Sequence, residues 1–177
     1  MITRKDIVID GHPVLRQVAQ DVPIPLTEED KKTLRGLLEY VKNSQDEELA
    51  KKYDLKPGVG LAAPQIAVSK KMIGVHFTDE DGKLHSYALA NPKIISHSVD
   101  TIFIESGEGC LSVEKDVKGH VPRYERIKVQ AFDAEGKEVL LKLRDYAAIV
   151  LQHEIDHLQG ILFYDRIDKE QPFIINE

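Results

Sequence analysis

The segment from Tyr146 to Leu158 constrains the fold most strongly, because it is predicted to be a helix that carries two histidines on one side. Asp145 can cap its start and Gly160 follows its end, and both residue types are common at helix termini. His153 and His157 are four positions apart, and side chains at this spacing share one helical face. Both imidazoles can therefore reach the same metal ion.

The neighbours of these histidines favour a metal site. Apolar side chains precede His153 by three, four and seven positions on the same helical face: Val150, Ile149 and Tyr146. Histidines beside such a wall need polar partners. Glu154 completes an H-E-x-x-H sequence, in which the glutamate takes a proton from a water molecule. The alternative is that both histidines face only solvent or core and that Glu154 is a surface charge.

Short runs of β-branched and aromatic residues fill the middle of the chain and predict antiparallel strands. Turn signals such as Asp81-Gly82 and Asn91-Pro92 separate the first runs. These runs are Met72 to Phe77, Ser86 to Asn91, Lys93 to Ser98 and Thr101 to Ile104. Two more runs flank a turn and form the clearest hairpin of the sequence: Ile127 to Phe132 and Glu138 to Leu143, around Asp133-Ala134-Glu135-Gly136.

Local signals also define the helices and loops outside the strands. Two N-terminal helices are predicted: His12 to Ala19, and Thr27 to about Ala50. Glycines and a proline predict a loop from Lys56 to Gly60, and the tail from Ile161 to Asn176 is expected to be extended. This order predicts an α+β fold with antiparallel β-sheets around a central helix that carries H-E-x-x-H, preceded by N-terminal helices. Residues 1–177 are expected to form a single domain.

The charge balance excludes several classes of function. With 24 Lys and Arg against 30 Asp and Glu, the net charge of −6 argues against a large nucleic-acid footprint. The N-terminal segment carries charges where a secretory signal has an apolar run, and no stretch reaches the roughly 20 apolar residues of a membrane helix. We therefore expect a cytoplasmic protein with no membrane contact.

A catalytic metal site usually has three protein ligands, so a third must be found. The extended metalloprotease pattern fails because Phe163 stands where its last histidine should be. A glutamate from a distant segment is an alternative third ligand. Cys110 is the only cysteine, and Gly107 and Gly109 before it permit a bulged backbone that can aim its thiol at a site. The alternative is a small buried apolar residue. The other histidines have no partner at a ligand spacing and are expected at the surface: His12, His76, His85, His97 and His120.

The segment Gly58-Val59-Gly60-Leu61-Ala62-Ala63-Pro64-Gln65 is a further functional candidate. It lacks the ending of a phosphate-binding loop and the spacing of a dinucleotide fingerprint. Its glycines let a peptide backbone come close, and Gln65 can donate amide hydrogens to a developing oxyanion. A structural turn before a strand is the alternative.

Three motifs together resemble the signature motifs of peptide deformylases. They are Gly-Val-Gly-Leu-Ala-Ala-Pro-Gln at 58–65, Glu-Gly-Cys-Leu-Ser at 108–112 and His-Glu-Ile-Asp-His at 153–157, in the order of the family. The resemblance covers nearly the whole chain, including Pro13-Val14-Leu15-Arg16. It implies a metal-dependent hydrolase that removes the N-formyl group from the N-terminal formylmethionine of newly synthesised proteins.

The resemblance also implies a role for each motif residue. The ligands of a ferrous ion, which zinc, nickel or cobalt can replace, would be Cys110, His153 and His157. Glu154 would be the general base that activates water and later passes a proton to the leaving amine. Gln65 and the backbone N–H of Leu111 would stabilise the tetrahedral oxyanion.

Substrate binding is expected along an extended peptide. Main-chain hydrogen bonds to Val59-Gly60-Leu61 would add the peptide as a strand and tolerate varied sequences. Gly109 is also assigned to the substrate site. The methionine side chain needs an apolar pocket, with Val59 at its rim and these candidates on the metal helix: Tyr146, Ile149 and Val150.

Two segments are similar to the longer, type II class of the family. The segment from Glu114 to His120 is longer than a tight connection needs, and Pro172 makes the tail a poor helix former. The expected partners are N-formylmethionyl nascent peptides, with a transient ribosome contact that does not use the C-terminal helix of the shorter class. No nucleic-acid specificity is expected.

Two other functions remain open from the residues alone. A zinc endopeptidase would use the same helix with a ligand other than Cys110. A metal-stabilised binding domain would need no general base, and Glu154 argues against it.

Overall fold

The computed structural model describes residues 1–175 and has the predicted α+β architecture. The helices are α1 (Glu28–Ser44), α2 (Glu47–Tyr53) and α3 (Asp145–His157). The strands are β1 (Gly60–Ala62), β2 (Met72–Thr78), β3 (Leu84–His97), β4 (Thr101–Ile102), β5 (Arg123–Tyr124), β6 (Arg126–Phe132) and β7 (Glu138–Arg144). Short 3₁₀ turns lie at Arg4–Asp6, Pro13–Arg16, Ala63–Ile66 and Phe163–Arg166. None of these helices has the length and apolar character that a membrane crossing requires.

One antiparallel sheet forms the framework, with the strand order β1-β2-β3-β6-β7, while β4 and β5 pair separately. The alternation of side chains along β2 explains why helices cover both faces. Ile73 and Val75 belong to the core cluster that includes Leu151 of α3. Met72 belongs to a second cluster that includes Leu37 of α1. The prediction of sheets around the helix that carries H-E-x-x-H is confirmed.

β3 joins two strands that the sequence predicts as separate. The turn signal Asn91-Pro92 produces a β-bulge instead of a break, because the register with β6 shifts between Ala90 and Lys93. Asn91 has a φ of +50°, and its side-chain amide exchanges two hydrogen bonds of 2.9 Å with the backbone of Val22. These contacts keep a turn-forming residue inside the strand. The hairpin of β6 and β7 agrees with the prediction.

The two N-terminal helix predictions are wrong in different ways, because the first extends too far and the second misses a break. Of the segment from His12 to Ala19, only Pro13–Arg16 is helical, as a 3₁₀ turn. The chain then turns away because the Ala19 N–H donates to the carbonyl of Leu158, at 2.9 Å. Tertiary contacts outside the local sequence therefore end this turn.

The predicted long helix is two helices, α1 and α2, with a break at Gln45 and Asp46. Asp46 caps α2 by accepting a hydrogen bond from the Leu49 N–H at 3.0 Å. Gln45 Nε2 donates to the carbonyls of Gly58 and His76, at 2.9 and 2.7 Å. The Gln45 side chain at the break therefore holds the loop that leads into β1.

Two histidines expected at the surface are buried, so this prediction is wrong for them. His85 pairs through Nε2 with the Asp79 carboxylate at 2.7 Å. His120 accepts a hydrogen bond from the Ile174 N–H at Nδ1 and donates from Nε2 to the Glu105 carbonyl, at 2.8 and 3.1 Å. These partners satisfy both imidazoles, and none of them is visible from the spacing of histidines.

The C-terminal tail lies along the protein without a helix after Arg166, within residues 1–175. The His120 N–H donates to the carbonyl of Pro172 at 2.8 Å, so the tail is fastened to the segment before β5. The predicted extended tail is therefore found only after Arg166, because Phe163–Arg166 forms a 3₁₀ turn within the range that was predicted to be extended. Asn176, at its predicted end, lies outside the described residues.

Gly74 in β2 lets α1 lie directly on the sheet, since a Cβ at this position would be 2.6 Å from the backbone nitrogen of Leu38. A Gly74→Ala variant should therefore lose about 1–3 kcal/mol of unfolding free energy, because the helix must move away. Gly36→Ala in α1 is the control. Its Cβ would meet only the flexible Ile2 side chain at 3.2 Å, and alanine favours a helix by up to about 1 kcal/mol. Urea unfolding of both variants tests this, and equal midpoints would contradict it.

Candidate active site

α3 and the loop before β5 bring the three predicted metal ligands together. The Sγ atom of Cys110 and one imidazole nitrogen from each of His153 and His157 lie within 4.8 Å of one another. The distance from Cys110 Sγ to His157 Nε2 is 3.4 Å. The helical spacing of four residues accounts for the histidines, while the cysteine comes from a segment far away in sequence.

A buried network of charged side chains orients His153. Its Nδ1 donates to the Glu108 carboxylate at 2.9 Å, which leaves Nε2 for a metal. Arg123 donates to both carboxylate oxygens of Glu108, at 3.0 and 2.8 Å, and to Asp156 at 2.6 Å. Arg166 also donates to Asp156, at 2.6 and 2.8 Å. A carboxylate on the second nitrogen of a ligating histidine fixes its ring orientation and makes it more basic.

Burial and this network set the charge of the two histidines. Burial by itself lowers the pKa of His153, but hydrogen bonds to Cys110 and Glu108 raise it to about 10. Burial lowers the pKa of His157 well below its ordinary value, so this imidazole is neutral, which is the form that binds metals. Metal binding at His153 therefore competes with a proton.

Glu154 carries a buried carboxylate oxygen, Oε2, to which no group of residues 1–175 forms a hydrogen bond. Burial raises the pKa of Glu154 to about 7, a value that suits a group that accepts and returns protons near neutral pH. Gly60 lies beside it, and a Cβ there would be 2.7 Å from Glu154 Cδ. β1 and this carboxylate can approach so closely only because residue 60 has no side chain.

Gln65 is held with its amide nitrogen toward Cys110. Its Oε1 accepts a hydrogen bond from the Ala62 N–H at 2.9 Å, and its Nε2 donates to Ser112 Oγ at 3.1 Å. The same Nε2 lies 3.5 Å from Cys110 Sγ. The side chain is only 1% exposed, so its orientation is fixed by protein contacts rather than by water.

A cleft of about 590 Å³ opens beside these groups. Most of the predicted site residues line it: Val59, Gly60, Gln65, Gly109, Cys110, Leu111, Tyr146, Ile149, Val150, His153 and Glu154. Two predicted residues do not. His157 is buried below Cys110, and the side chain of Leu61 is buried in the core cluster that includes α1. The side chain of Leu61 is therefore not available to a bound peptide.

The donor set fits a late first-row transition metal. One thiolate and two imidazoles are softer than the oxygen ligands that magnesium and calcium prefer. Three protein ligands leave a coordination position open, which is typical of catalytic rather than structural sites. The free carboxylate oxygen of Glu154 lies in the same cleft. Residues that would hold a metal and a residue that can move a proton are therefore adjacent.

Comparison with known protein families agrees with this chemistry. The family model described as polypeptide deformylase matches residues 4–173. The chain belongs to the polypeptide deformylase family. It is a metal-dependent hydrolase that removes the N-formyl group from the N-terminal formylmethionine of newly synthesised proteins.

Similar proteins match over nearly the whole length. "Peptide deformylase 2" of Geobacillus stearothermophilus is 62% identical over 173 residues, which cover 98% of this chain and 94% of that relative. The protein of the same name from Bacillus anthracis is 60% identical with the same coverage. These names agree with the predicted type II class.

Solved structures of the family share the fold. The peptide deformylase from Thermotoga maritima is 36% identical with a TM-score of 0.71, covering 92% of this chain and 96% of that one. A class I type b peptide deformylase from Acinetobacter baumannii, solved with Met-ala-ser bound, is 30% identical with a TM-score of 0.72. That match covers 91% of this chain and 96% of the other.

Sequence reasoning gave no role to Glu108, Ser112, Arg123 or Asp156, although all four support the site. Glu108 and Ser112 lie inside the Glu-Gly-Cys-Leu-Ser motif, so their closeness to Cys110 was a usable signal. Arg123 lies outside all three motifs, and nothing in its local sequence indicates that it is 2% exposed. Only the fold brings it to the two carboxylates.

Substitution of Gly60 by alanine should displace the Glu154 carboxylate, because the new Cβ would overlap it. We expect kcat/KM for a formylated peptide to fall on the order of 10–100-fold, since small misplacements of reacting groups have effects of this size. Metal content should not change. Gly36→Ala in α1 is again the control, because its Cβ would meet only the flexible Ile2 side chain, at 3.2 Å. Wild-type activity of the Gly60→Ala variant would show that the position of the Glu154 carboxylate does not depend on a glycine at residue 60.

The Glu108→Gln variant should bind zinc about 10–100-fold more weakly, because the neutral amide no longer supports His153 as the carboxylate does. Competition with a chromophoric chelator measures this affinity without reference to activity. Glu105→Gln is a matched control, since Glu105 is exposed and outside the network. Equal zinc affinity of the two variants would show that Glu108 does not tune the site.

Proposed function

We propose that this chain deformylates peptides at an iron site built from its three motifs. The proposed ligands of Fe²⁺, which Zn²⁺, Ni²⁺ or Co²⁺ can replace, are Cys110, His153 and His157. The observation that carries this proposal is the approach of their three donor atoms to within 4.8 Å of one another at the cleft. When bound, the ion lowers the pKa of a water molecule and polarises the formyl carbonyl.

Glu154 is the proposed general base and general acid. Its Oε2 is buried without a partner among residues 1–175, and burial raises its pKa to about 7. It takes a proton from the attacking water and returns it to the amino nitrogen as the C–N bond breaks. The products are a peptide with a free amino group on its N-terminal methionine and formic acid, which releases its proton to solvent and becomes formate. Glu154 thus moves one proton and ends in its starting state.

Gln65 and Leu111 are proposed to stabilise the negative charge that develops on the formyl oxygen. Support comes from the fixed Gln65 Nε2, 3.5 Å from Cys110 Sγ, and from the position of the Leu111 N–H directly after Cys110. Donors held in place need no rearrangement as the charge develops. The loss of one such donor typically lowers kcat by about 100–1000-fold.

The substrate is proposed to bind as an added strand on β1. Among the strands of residues 1–175, β1 pairs only with β2, so its other edge is open to a peptide backbone. The proposed backbone contacts are Val59, Gly60, Leu61 and Gly109. The proposed pocket for the methionine side chain is formed by Tyr146, Ile149 and Val150, with Val59 at its rim. The Acinetobacter baumannii relative was solved with Met-ala-ser bound, which supports a methionine-first peptide.

The cellular setting follows from the same function. We propose that residues 1–177 form a single catalytic domain that works in the cytoplasm on N-formylmethionyl nascent peptides. A transient ribosome contact would place it near these peptides. No recognition of nucleic-acid sequence is proposed.

The decisive test is formate release from formyl-Met-Ala-Ser by protein loaded anaerobically with Fe²⁺. We expect release by the wild type and a loss of about 100–10,000-fold in kcat for Glu154→Gln, the range typical of a lost general acid–base group. Glu39→Gln, an exposed position on α1, is the matched control.

Metal content and the cleavage products distinguish the remaining possibilities. Cys110→Ser should lose most of its iron; a variant that kept both metal and activity would favour an endopeptidase with another ligand. Cleavage of an internal bond in an unformylated peptide would also favour an endopeptidase. Bound iron with no hydrolysis of either peptide would favour a binding domain.

Iron beside the Cys110 thiolate should make the enzyme sensitive to air. Oxygen can oxidise the ferrous ion and the sulfur, so the half-life of activity should be shorter in air than under argon. Zinc-loaded protein is the control because zinc has no accessible redox step. Equal half-lives of the iron form in both atmospheres would disprove the prediction.

A further inference from the structure

The β6–β7 hairpin places like charges directly opposite each other. The antiparallel register pairs Arg126 with Arg144 and Lys128 with Lys142. All four side chains are exposed, whereas Ile127 between the β6 cations is buried. Since side chains alternate along a strand, the four cations lie on the outer face of the hairpin. We call these four residues the cationic face.

This arrangement has a cost in the isolated protein. Like charges directly opposite in an antiparallel pair are destabilising, and an acidic residue in either strand would stabilise the pair instead. Among residues 1–175, only Arg144 of the four forms an ion pair, with Asp81 at 3.2 Å. Both partners of that pair are more than half exposed, so it compensates little.

Protection of a sheet edge does not account for the cationic face. β7 is the edge strand of the sheet, and cations on an edge discourage pairing with another chain. This explains Lys142 and Arg144. It does not explain Arg126 and Lys128, because β6 is paired on both sides, with β3 and β7.

The cationic face borders an open groove of about 820 Å³ that adds hydrogen-bond donors. Lys83 and the hydroxyls of Ser96 and Ser98 also line it. Its two carboxylates, Asp79 and Asp81, are already paired with His85 and Arg144. The apolar lining residues are buried: Ile127, Leu143 and Ala147. The groove therefore offers charge and hydrogen bonds but no exposed apolar anchor.

We propose that the cationic face binds the phosphate backbone of RNA without reading its bases. Guanidinium and ammonium groups match phosphate oxygens, whereas a protein partner would require apolar or aromatic anchors. Within residues 1–175, the two imidazoles that line the groove, His85 and His97, are already stacked on Phe77 and Tyr124, so the groove offers no unstacked ring for a base. The choice of RNA over other polyanions rests on the proposed function, since newly synthesised chains emerge where RNA is abundant.

The proposal agrees with the acidic composition of the chain. A net charge of −6 weakens long-range attraction to RNA, but phosphate contacts act locally, within a Debye length of about 10 Å. Binding should therefore be weak, independent of sequence and strongly dependent on salt. About four phosphate contacts predict a loss of affinity on the order of a hundredfold between about 50 and 200 mM salt.

Fluorescence anisotropy with a labelled 20-nucleotide RNA hairpin tests the surface. The variant Arg126→Glu with Lys128→Glu converts both like-charge pairs into opposite-charge pairs. We expect at least a tenfold loss of RNA affinity together with a higher urea midpoint, a combination that unfolding cannot produce. Lys51→Glu with Lys52→Glu, exposed on α2, makes the same change in net charge and should retain the RNA affinity.

Two outcomes would overturn the proposal. One is equal RNA affinity of the two double variants, and the other is tighter binding of the wild type to poly-glutamate than to the hairpin, which would indicate an acidic protein partner. Formate release from a free formyl peptide should be unchanged in both double variants. The protein could bind RNA through the cationic face and still release no formate. That result would support the RNA-binding surface and contradict the proposed function, so the two proposals can fail separately.

Discussion

Arg123, on the short strand β5, donates hydrogen bonds to Glu108 and Asp156 and so ties the loop that carries Cys110 to the helix that carries both histidines. Its side chain is 1% exposed. Removal of one partner from a buried ion pair typically costs about 3–5 kcal/mol, because the remaining charge stays buried and unpaired. Glu108 and Asp156 would each lose a buried partner without this guanidinium, and only the hydrogen bonds from His153 and Arg166 would remain to them. The geometry of the metal-binding atoms therefore depends on an interaction that touches neither metal nor substrate.

The site also depends on two positions at which a glycine lets neighbouring elements come very close together. Gly60 brings the edge strand β1 against Glu154, and Gly74 brings α1 onto the same sheet. In both cases an added methyl group would overlap a neighbour at less than 3 Å. The open edge of β1, the Glu154 carboxylate and the metal-binding atoms consequently lie in one cleft.

Charged side chains are arranged differently in this cleft and on the outer face of the sheet. Around α3, the buried charges of Glu108, Arg123 and Asp156 compensate one another within the fold. On the outer face of β6 and β7, cations instead lie opposite cations, as in the pair of Lys128 and Lys142. The buried charges have their partners inside the fold, whereas like charges directly opposite each other on the surface are destabilising. The second arrangement is the one that a bound anion would stabilise.

Local patterns were sufficient to predict the α+β class, the β6–β7 hairpin and the helix that bears His153 and His157, because periodicity and turn chemistry are local signals. The three motifs contain the candidate ligands and catalytic groups, whereas the candidates for the methionine pocket came from the apolar face of the same helix. The bulge at Asn91, the break of the helix at Gln45 and the burial of Arg123 beside the site became visible only in the folded chain. Each of these depends on partners distant in the chain, and a local pattern contains no information about which distant backbone or carboxylate will be close enough to form a hydrogen bond.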